Sequence, residues 1–288
     1  MSIAVPSEYL QSLEDFLHLH FSKVPRYGAE SDNRGQIKLL ESVEYSLFSG
    51  GKRFRPSVGF LLADALKLSR KQAIPWLAAV ECIHTYSLIH DDLPSMDNDS
   101  LRRGKPTNHI VYGEATALLA GDALLTEAFA LISNHYSENP SVGLELVKIL
   151  AQASGLSGMV GGQAMDLAQN LEQLNDEISD LIHHLKTGVL ICSVTEGIAS
   201  IATLPSEERS KITKFGSHLG FAFQLKDDLL DFEPETKDPK NKVCQLGLET
   251  TKKLLSLISK HAEDQIKFLG EASFPLVELI NYNIQRTV

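Results

Sequence analysis

Two aspartate clusters carry the strongest chemical signal in the chain: Asp91-Asp92-Leu93-Pro94-Ser95-Met96-Asp97 and, far downstream, Asp227-Asp228-Leu229-Leu230-Asp231. Carboxylates gathered in such number repel one another unless a polycation lies between them. Both clusters adjoin apolar stretches that read as helices, which suggests two walls of a magnesium site with a diphosphate as cargo. Asp227 and Asp231 stand one above the other on a helical face, with Asp228 beside them. They follow Phe221-Ala222-Phe223-Gln224-Leu225, an apolar turn expected to be buried, so a merely solvated acidic face fits poorly. Upstream, Pro94 cannot continue a helix, so Asp91 and Asp92 are expected to end a long one and Asp97 to return from irregular backbone. Carboxylates at a helix C-terminus oppose its dipole, which again calls for a compensating cation. Magnesium suits the task because it accepts few protein carboxylates, retains water and takes phosphate oxygens in its remaining positions.

Cationic groups form the other half of a diphosphate site, and they occur in three places: Gly50-Gly51-Lys52-Arg53-Phe54-Arg55-Pro56, Arg102-Arg103-Gly104 and Lys186-Thr187-Gly188. The first reads as an anion site without metal, because glycines admit close backbone approach and guanidinium forks bind phosphate oxygens in pairs. His84 lies about two turns before Asp91 on the same helix face, where it is a candidate donor to phosphate.

These residues must be held by helices, because the apolar period is helical almost everywhere. Leu10, Leu13, Phe16 and Leu17 follow a possible cap at Ser7; Leu39, Leu40, Val43 and Leu47 make a second stripe, and Phe60, Leu61, Ala65 and Leu68 a third. Longer patterns cover residues 73–92, 114–133, 142–155, 177–202, 207–231 and 248–268, with breaks such as Asn139-Pro140 and Leu204-Pro205. The expectation is an all-α bundle of ten or so helices in a single domain over residues 1–288, without internal repeat or linker. A hydrophobic content of 43% supports a sizeable core. The net charge of -10 argues against nucleic acid or an anionic membrane as partner. Cys82, Cys192 and Cys244 lack metal-ligand spacing and read as reduced thiols, which favours the cytoplasm. No signal peptide is expected, and no uncharged apolar stretch of membrane-spanning length is found.

The motifs resemble those of trans-prenyltransferases of the polyprenyl synthetase family over nearly the whole length. The resemblance rests on residues 50–56, 91–97, 102–104 and 186–188, on Gly158-Met159-Val160-Gly161-Gly162-Gln163-Ala164-Met165-Asp166, and on Phe223-Gln224 leading into residues 227–231. It is nearest to the bacterial members that make farnesyl diphosphate. It implies the all-helical isoprenoid-synthase fold around a central cavity, a homodimer, three magnesium ions with manganese as possible substitute, and condensation of isopentenyl diphosphate with dimethylallyl or geranyl diphosphate. Carried over, Asp91, Asp92 and Asp97 hold two ions, and Asp227, with Asp228 and Asp231, the third. Arg102 and Lys186 contact the allylic diphosphate; Lys52, Arg55, His84 and Arg103 bind isopentenyl diphosphate. Thr187, Gln163 and Gln224 present oxygens to an allylic cation, the departing diphosphate takes the proton, and Asp166 matches a position near this site.

In the family, product length is set near the first aspartate motif, and here the wall residues are Tyr86 and Ser87. The aromatic Tyr86 and the four-residue interior of the motif resemble members that stop at fifteen carbons; geranylgeranyl diphosphate is the alternative product. A non-catalytic partner subunit would be marked by lost aspartates, and both motifs are whole. A class I terpene cyclase would lack the basic residues 50–56. One departure stands out: residues 232–245 are roughly ten residues shorter than the family's glycine- and lysine-containing lid and lack both its glycines. Lys237, Lys240 and Lys242 are the candidates to replace its cation, and spacing alone does not choose among them.

Overall fold

Helix ends are set by local chemistry wherever the chain turns. Gln72 caps the start of a long upstream helix, its Oε1 accepting from the Ser69 hydroxyl at 2.7 Å and from the Ser69 amide at 3.2 Å. The computed structural model describes residues 5–26, 33–168, 176–235 and 238–287. Among these, fourteen α-helices account for most of the chain: α1 (Ser7–Ser22), α2 (Arg34–Leu47), α3 (Phe54–Ala65), α4 (Arg70–Asp91), α5 (Asn108–Tyr112), α6 (Glu114–His135) and α7 (Pro140–Ser154) lie upstream. Downstream come α8 (Met159–Ala168), α9 (Asp176–His183), α10 (Val189–Ile201), α11 (Ser206–Leu230), α12 (Lys242–Leu246), α13 (Leu248–Ile266) and α14 (Phe274–Gln285). A π-helical turn, His184–Gly188, joins α9 to α10, and a 3-10 segment, Lys267–Ser273, precedes α14.

The apolar stripes read from sequence become buried faces. Leu13 and Leu17 of α1, Val43 and Leu47 of α2, and Phe60 and Leu61 of α3 are buried. Ser7 is not the cap it resembled; Pro6 precedes the helix and Ser7 is its first residue, with the Tyr9 amide donating to the Pro6 carbonyl. The only pairing of strands among the described residues is a two-residue hairpin, β1 (Leu101–Arg102) with β2 (Lys105–Pro106), that the periodicity did not disclose. Contacts divide the chain into two interleaved units. One takes residues 1–5, 58–73 and 144–288, the other residues 6–57 and 74–143, so the chain crosses the boundary within α3, within α4 and within α7.

In the smaller unit α6 packs on α2 and α5. This helix is long and apolar enough to cross a membrane by length and composition, although it carries Asp122 and Glu127. Those carboxylates keep it from being an uncharged apolar stretch of spanning length. In the larger unit α11 packs on α10 and α13, where Ala222, Leu225 and Leu255 form a cluster with Phe221, Leu229 and Ile284 around it. Cys82 is buried, Cys192 half-buried and Cys244 exposed, and no disulfide joins them.

Candidate active site

The upstream aspartates sit where α4 gives out. The helix ends at Asp91, the Leu93 amide closes on the His90 carbonyl at 3.1 Å, and the Asp97 amide returns to the Asp91 carbonyl at 2.9 Å. Pro94 enforces this turn, as expected. Asp92 is buried and gripped by Arg102, whose Nε donates to its two oxygens at 2.7 and 2.9 Å while Nη2 lies 2.6 Å from Oδ1. Burial works against the Arg102 charge, but the bonds to Asp92 outweigh it and hold the guanidinium more firmly protonated than usual. Arg102 is aimed by the hairpin, whose turn residues Arg103 and Gly104 both adopt positive φ, 52° and 74°. Two such residues match the right-handed twist of the strands.

The same turn delivers Arg103 to the glycine pair. Its guanidinium donates to the Gly50 carbonyl, and a Cβ on Gly51 would fall 2.6 Å from its Cζ. Gly51, at φ +127°, is therefore favoured for its backbone conformation, and a Cβ there would oblige the Arg103 guanidinium to shift. Lys52 is exposed and Arg55 half-buried. Arg53, counted with them as a cation of the loop, turns inward instead: it is buried against Glu81 at 2.5 Å and donates to the Leu47 carbonyl at 2.6 Å. His84 lies in the field of these arginines. Burial, then Arg55, Arg103, Arg53 and Arg102 in turn, hold its imidazole well below the ordinary value of 6.5, so it is neutral at physiological pH. Tyr86 is buried edge-on to His90, with ring centroids 5.7 Å apart, and burial together with Asp91 pushes its phenol up to about 12. The Ser87 hydroxyl is spent on the His84 carbonyl at 2.9 Å.

In the larger unit three elements meet through glycines. A Cβ on Gly162 of α8 would fall 2.6 Å from Leu185 Cβ, and one on Gly220 of α11 would fall 2.9 Å from Gly188 Cα. The π turn at this contact carries Lys186 and Thr187, and such turns recur at functional sites. Lys186 Nζ lies 2.5 Å from Asp166 Oδ2, and Lys240 donates to the other oxygen of the same carboxylate. Burial pushes the Asp166 carboxyl up, but the two lysines outweigh it and hold it below the usual range. Gln163 and Thr187 are half-buried.

On α11, Gln224 Nε2 donates to Asp228 Oδ1 at 2.9 Å, which turns its Oε1 away from that carboxylate. Asp228 Oδ2 accepts from the Lys242 amide at 3.0 Å, and burial raises its carboxyl against the opposing pull of His183, Gln224 and Lys242. Asp227 Oδ1 lies 2.5 Å from Arg286 Nη2, while Asp231 is exposed at the helix end. A pocket of about 270 Å³ opens beside them, lined by Gln224, Asp228, Asp231, Phe232, Lys240 and Cys244 among others.

Among the described residues no group of three or more His, Cys, Asp and Glu is gathered closely enough to hold a metal by itself. The donors present are carboxylate oxygens, and two of the carboxylates, Asp92 and Asp227, already balance arginines. That donor chemistry fits magnesium shared with phosphate oxygens, since this ion takes one or two carboxylates and completes its shell elsewhere.

The polyprenyl synthetase family model matches residues 36–268. The chain belongs to the polyprenyl synthetase family. Farnesyl diphosphate synthase of Micrococcus luteus is 39% identical over 97% of this chain and 98% of its own. That of Bacillus subtilis is 44% identical over 84% and 86%. The crystal structure of geranyltransferase from Legionella pneumophila matches with a TM-score of 0.87 at 33% identity, covering 98% of this chain and 95% of that one. The all-helical architecture is thus the isoprenoid-synthase fold, and the protein is a prenyltransferase.

As a polyprenyl synthetase the chain holds two features that its motifs did not announce. Arg286, next to the C-terminus and outside every motif, balances Asp227 and lies over the Phe223 ring at 4.5 Å. Its only local signal was a lone basic residue after an apolar helix. The lysines after the second acidic motif now separate: Lys242 is buried against Asp180 at 2.6 Å, Lys240 reaches Asp166, and Lys237 lies outside the described residues.

Proposed function

We propose that the protein is a farnesyl diphosphate synthase, joining isopentenyl diphosphate head-to-tail to dimethylallyl and then geranyl diphosphate. The observation that carries this reading is the gathering of Gly50, Gly51, Arg55, His84 and Arg103 into a cationic group on a chain that also keeps both aspartate motifs. An enzyme that only ionised an allylic diphosphate would need no second anion site. Lys52, Arg55 and Arg103 bind isopentenyl diphosphate, and neutral His84 adds an N–H donor without further crowding of charge. Arg102 and Lys186 neutralise the allylic diphosphate. Asp91, Asp92, Asp97, Asp227, Asp228 and Asp231 hold magnesium, three ions in number, which supplies Lewis-acid neutralisation of the leaving group when bound.

As the allylic C–O bond breaks, charge moves onto the diphosphate, so groups already aimed at those oxygens stabilise the transition state more than the ground state. The isopentenyl double bond forms the new C–C bond, and the proton lost afterwards goes to the departing diphosphate. Gln224 Oε1, Thr187 and Gln163 face the allylic cation with oxygen, and the apolar helix walls keep water from it. Buried Tyr86, beside Asp91, supports a floor at fifteen carbons, with Ser87 next to it.

The chain acts as one polyprenyl synthetase domain, a reading supported by the interleaving of its two units and by a family match that runs through both. It acts as a homodimer in the cytoplasm, without nucleic acid or stable membrane insertion. Exposed Ile110, Val111, Leu118 and Leu119 support the dimer, and the absence of a disulfide among Cys82, Cys192 and Cys244 is compatible with a reducing compartment. The test is product analysis after incubation with isopentenyl diphosphate, magnesium and either allylic starter. A dominant fifteen-carbon diphosphate is expected. A twenty-carbon product would move the assignment to geranylgeranyl diphosphate synthase, and no condensation would overturn it.

A further inference from the structure

His90 stands immediately before the first aspartate motif, on the last turn of α4. Its ring crosses to α6, where Nε2 lies 3.0 Å from the Leu118 carbonyl. A carbonyl only accepts, so Nε2 carries a proton and donates. The ring occupies the place where a side chain at Gly121 would stand: a Cβ there would overlap its Nε2 and Cδ2 atoms. Gly121 lies inside α6 and has no positive φ, so no turn calls for it. Glycine in a helix interior is disfavoured relative to alanine, and the space it leaves for the imidazole is what this position gains.

The same ring meets Tyr86, one turn earlier on α4. The two centroids are 5.7 Å apart and the rings stand at 74°, edge to face. Long side chains on a helix lean toward its N-terminus, so His90 leans back over Tyr86 as an i,i+4 neighbour. The imidazole is thus held on one side by a hydrogen bond and a notch in α6, and bears on the tyrosine with its other side. Tyr86 is buried and has few staggered positions open to it on a helix, and His90 fills the space beside the one it adopts.

We infer that His90 is a positioning residue for product length: wedged into the Gly121 notch of α6, it holds Tyr86 in the place where Tyr86 stops the growing chain. The inference rests on the reading of Tyr86 as a floor at fifteen carbons and deepens it. His90 acts here through Tyr86 alone, and no covalent bond to it forms or breaks. Without the imidazole, the tyrosine gains room to swing aside and let a longer chain pass.

The experiment gives full-length wild type, His90→Ala, His90→Phe, His90→Gln, Tyr86→Ala and the double variant His90→Ala, Tyr86→Ala an excess of isopentenyl diphosphate over geranyl diphosphate, with magnesium. The readout is the ratio of twenty-carbon to fifteen-carbon product. His90→Ala should raise it about tenfold, the scale of a lost aromatic pair expressed as a rate ratio. His90→Phe keeps a ring against Tyr86 and should stay near wild type, whereas His90→Gln keeps only the donor and should follow His90→Ala. The double variant should match Tyr86→Ala, because a residue that acts through Tyr86 adds nothing once the tyrosine is gone. A longer product from Tyr86→Ala but not from His90→Ala, or a slower His90→Ala with an unchanged ratio, would overturn the inference and leave the floor in place. Additive shifts in the double variant would make His90 a wall in its own right and also overturn it. An unchanged ratio in Tyr86→Ala would remove the floor, and the inference with it. Calorimetric binding of farnesyl against geranylgeranyl diphosphate needs no turnover and decides the matter if the wild type fails to condense: His90→Ala should shift the preference toward the longer ligand, and an unshifted preference counts against the inference. A melting curve checks that each variant is folded, and His90→Gln carries the test if the alanine variant is not.

Discussion

Arg286 balances Asp227, and that balance is what a divalent cation must compete with. The guanidinium side chain is 3% exposed and also donates to Asn283 at 3.0 Å and to the Phe223 carbonyl at 3.2 Å, so it is fixed by more than the carboxylate. Asp227, 31% exposed, keeps some solvent screening. Replacing Arg286 by Met leaves Asp227 above Asp231 on one helix face without that counter-charge. The variant should lose about 1–2 kcal/mol of stability in chelator, less than a fully buried pair would cost. Magnesium with pyrophosphate should then recover more stability in Arg286→Met than it adds to wild type, because the ion no longer displaces an arginine. Equal gains in differential scanning fluorimetry would rule the competition out. None of this was legible beforehand. The i,i+4 spacing of Asp227 and Asp231 exposes their shared face at once, whereas Arg286 reaches Asp227 only through the packing of α14 on α11, which no local pattern encodes.

At the scale of elements, Arg53 decides how the glycine loop is presented. The loop's three cations looked equivalent in sequence, yet Arg53 adopts positive φ, 47°, and enters the core, while Lys52 and Arg55 stay nearer the surface. Its pair with Glu81 joins the loop to α4, the helix that carries His84, Tyr86 and Asp91. Arg53→Met strands the Glu81 charge, side chain 3% exposed, and should cost about 3–5 kcal/mol in urea denaturation. Glu81→Gln should cost less, because Arg53 keeps the Leu47 carbonyl and has Glu14 at 3.5 Å. At a temperature where both are folded, Arg53→Met should raise the KM for isopentenyl diphosphate more than that for the allylic substrate. A stability loss no larger in Arg53→Met than in Glu81→Gln would count against the tie. The long helices were readable because burial repeats with the helical period; α4, α6, α11 and α13 begin and end within a few residues of expectation, whereas the single pattern over residues 177–202 is divided into α9, the π turn and α10. The hairpin and the π turn were not, since two-residue strands have no period and a π turn shares the composition of the helices around it.

At the scale of the whole molecule, α6 poses the question of what covers it. It is apolar enough to span a bilayer, and Leu118 and Leu119 are exposed on it, with Ile110 and Val111 exposed on the preceding α5. A bilayer is the poorer cover. Asp122 and Glu127 would enter the hydrocarbon with the helix, Glu127 is already bonded to His20 at 2.8 Å, and the net charge of -10 repels anionic lipid. A second copy of the chain, in the homodimer proposed above, would present the same apolar residues around a two-fold axis and cover both sets together. The protein should therefore run as a dimer at micromolar concentration in size-exclusion chromatography with light scattering. The double variant Leu118→Glu, Leu119→Glu should run as a monomer with unchanged helical circular dichroism, because the residues contribute exposed surface rather than core. A wild type that is monomeric, or that co-sediments with lipid vesicles, would show that this surface has another occupant. A dimer that survives both glutamates would place the interface elsewhere on the molecule.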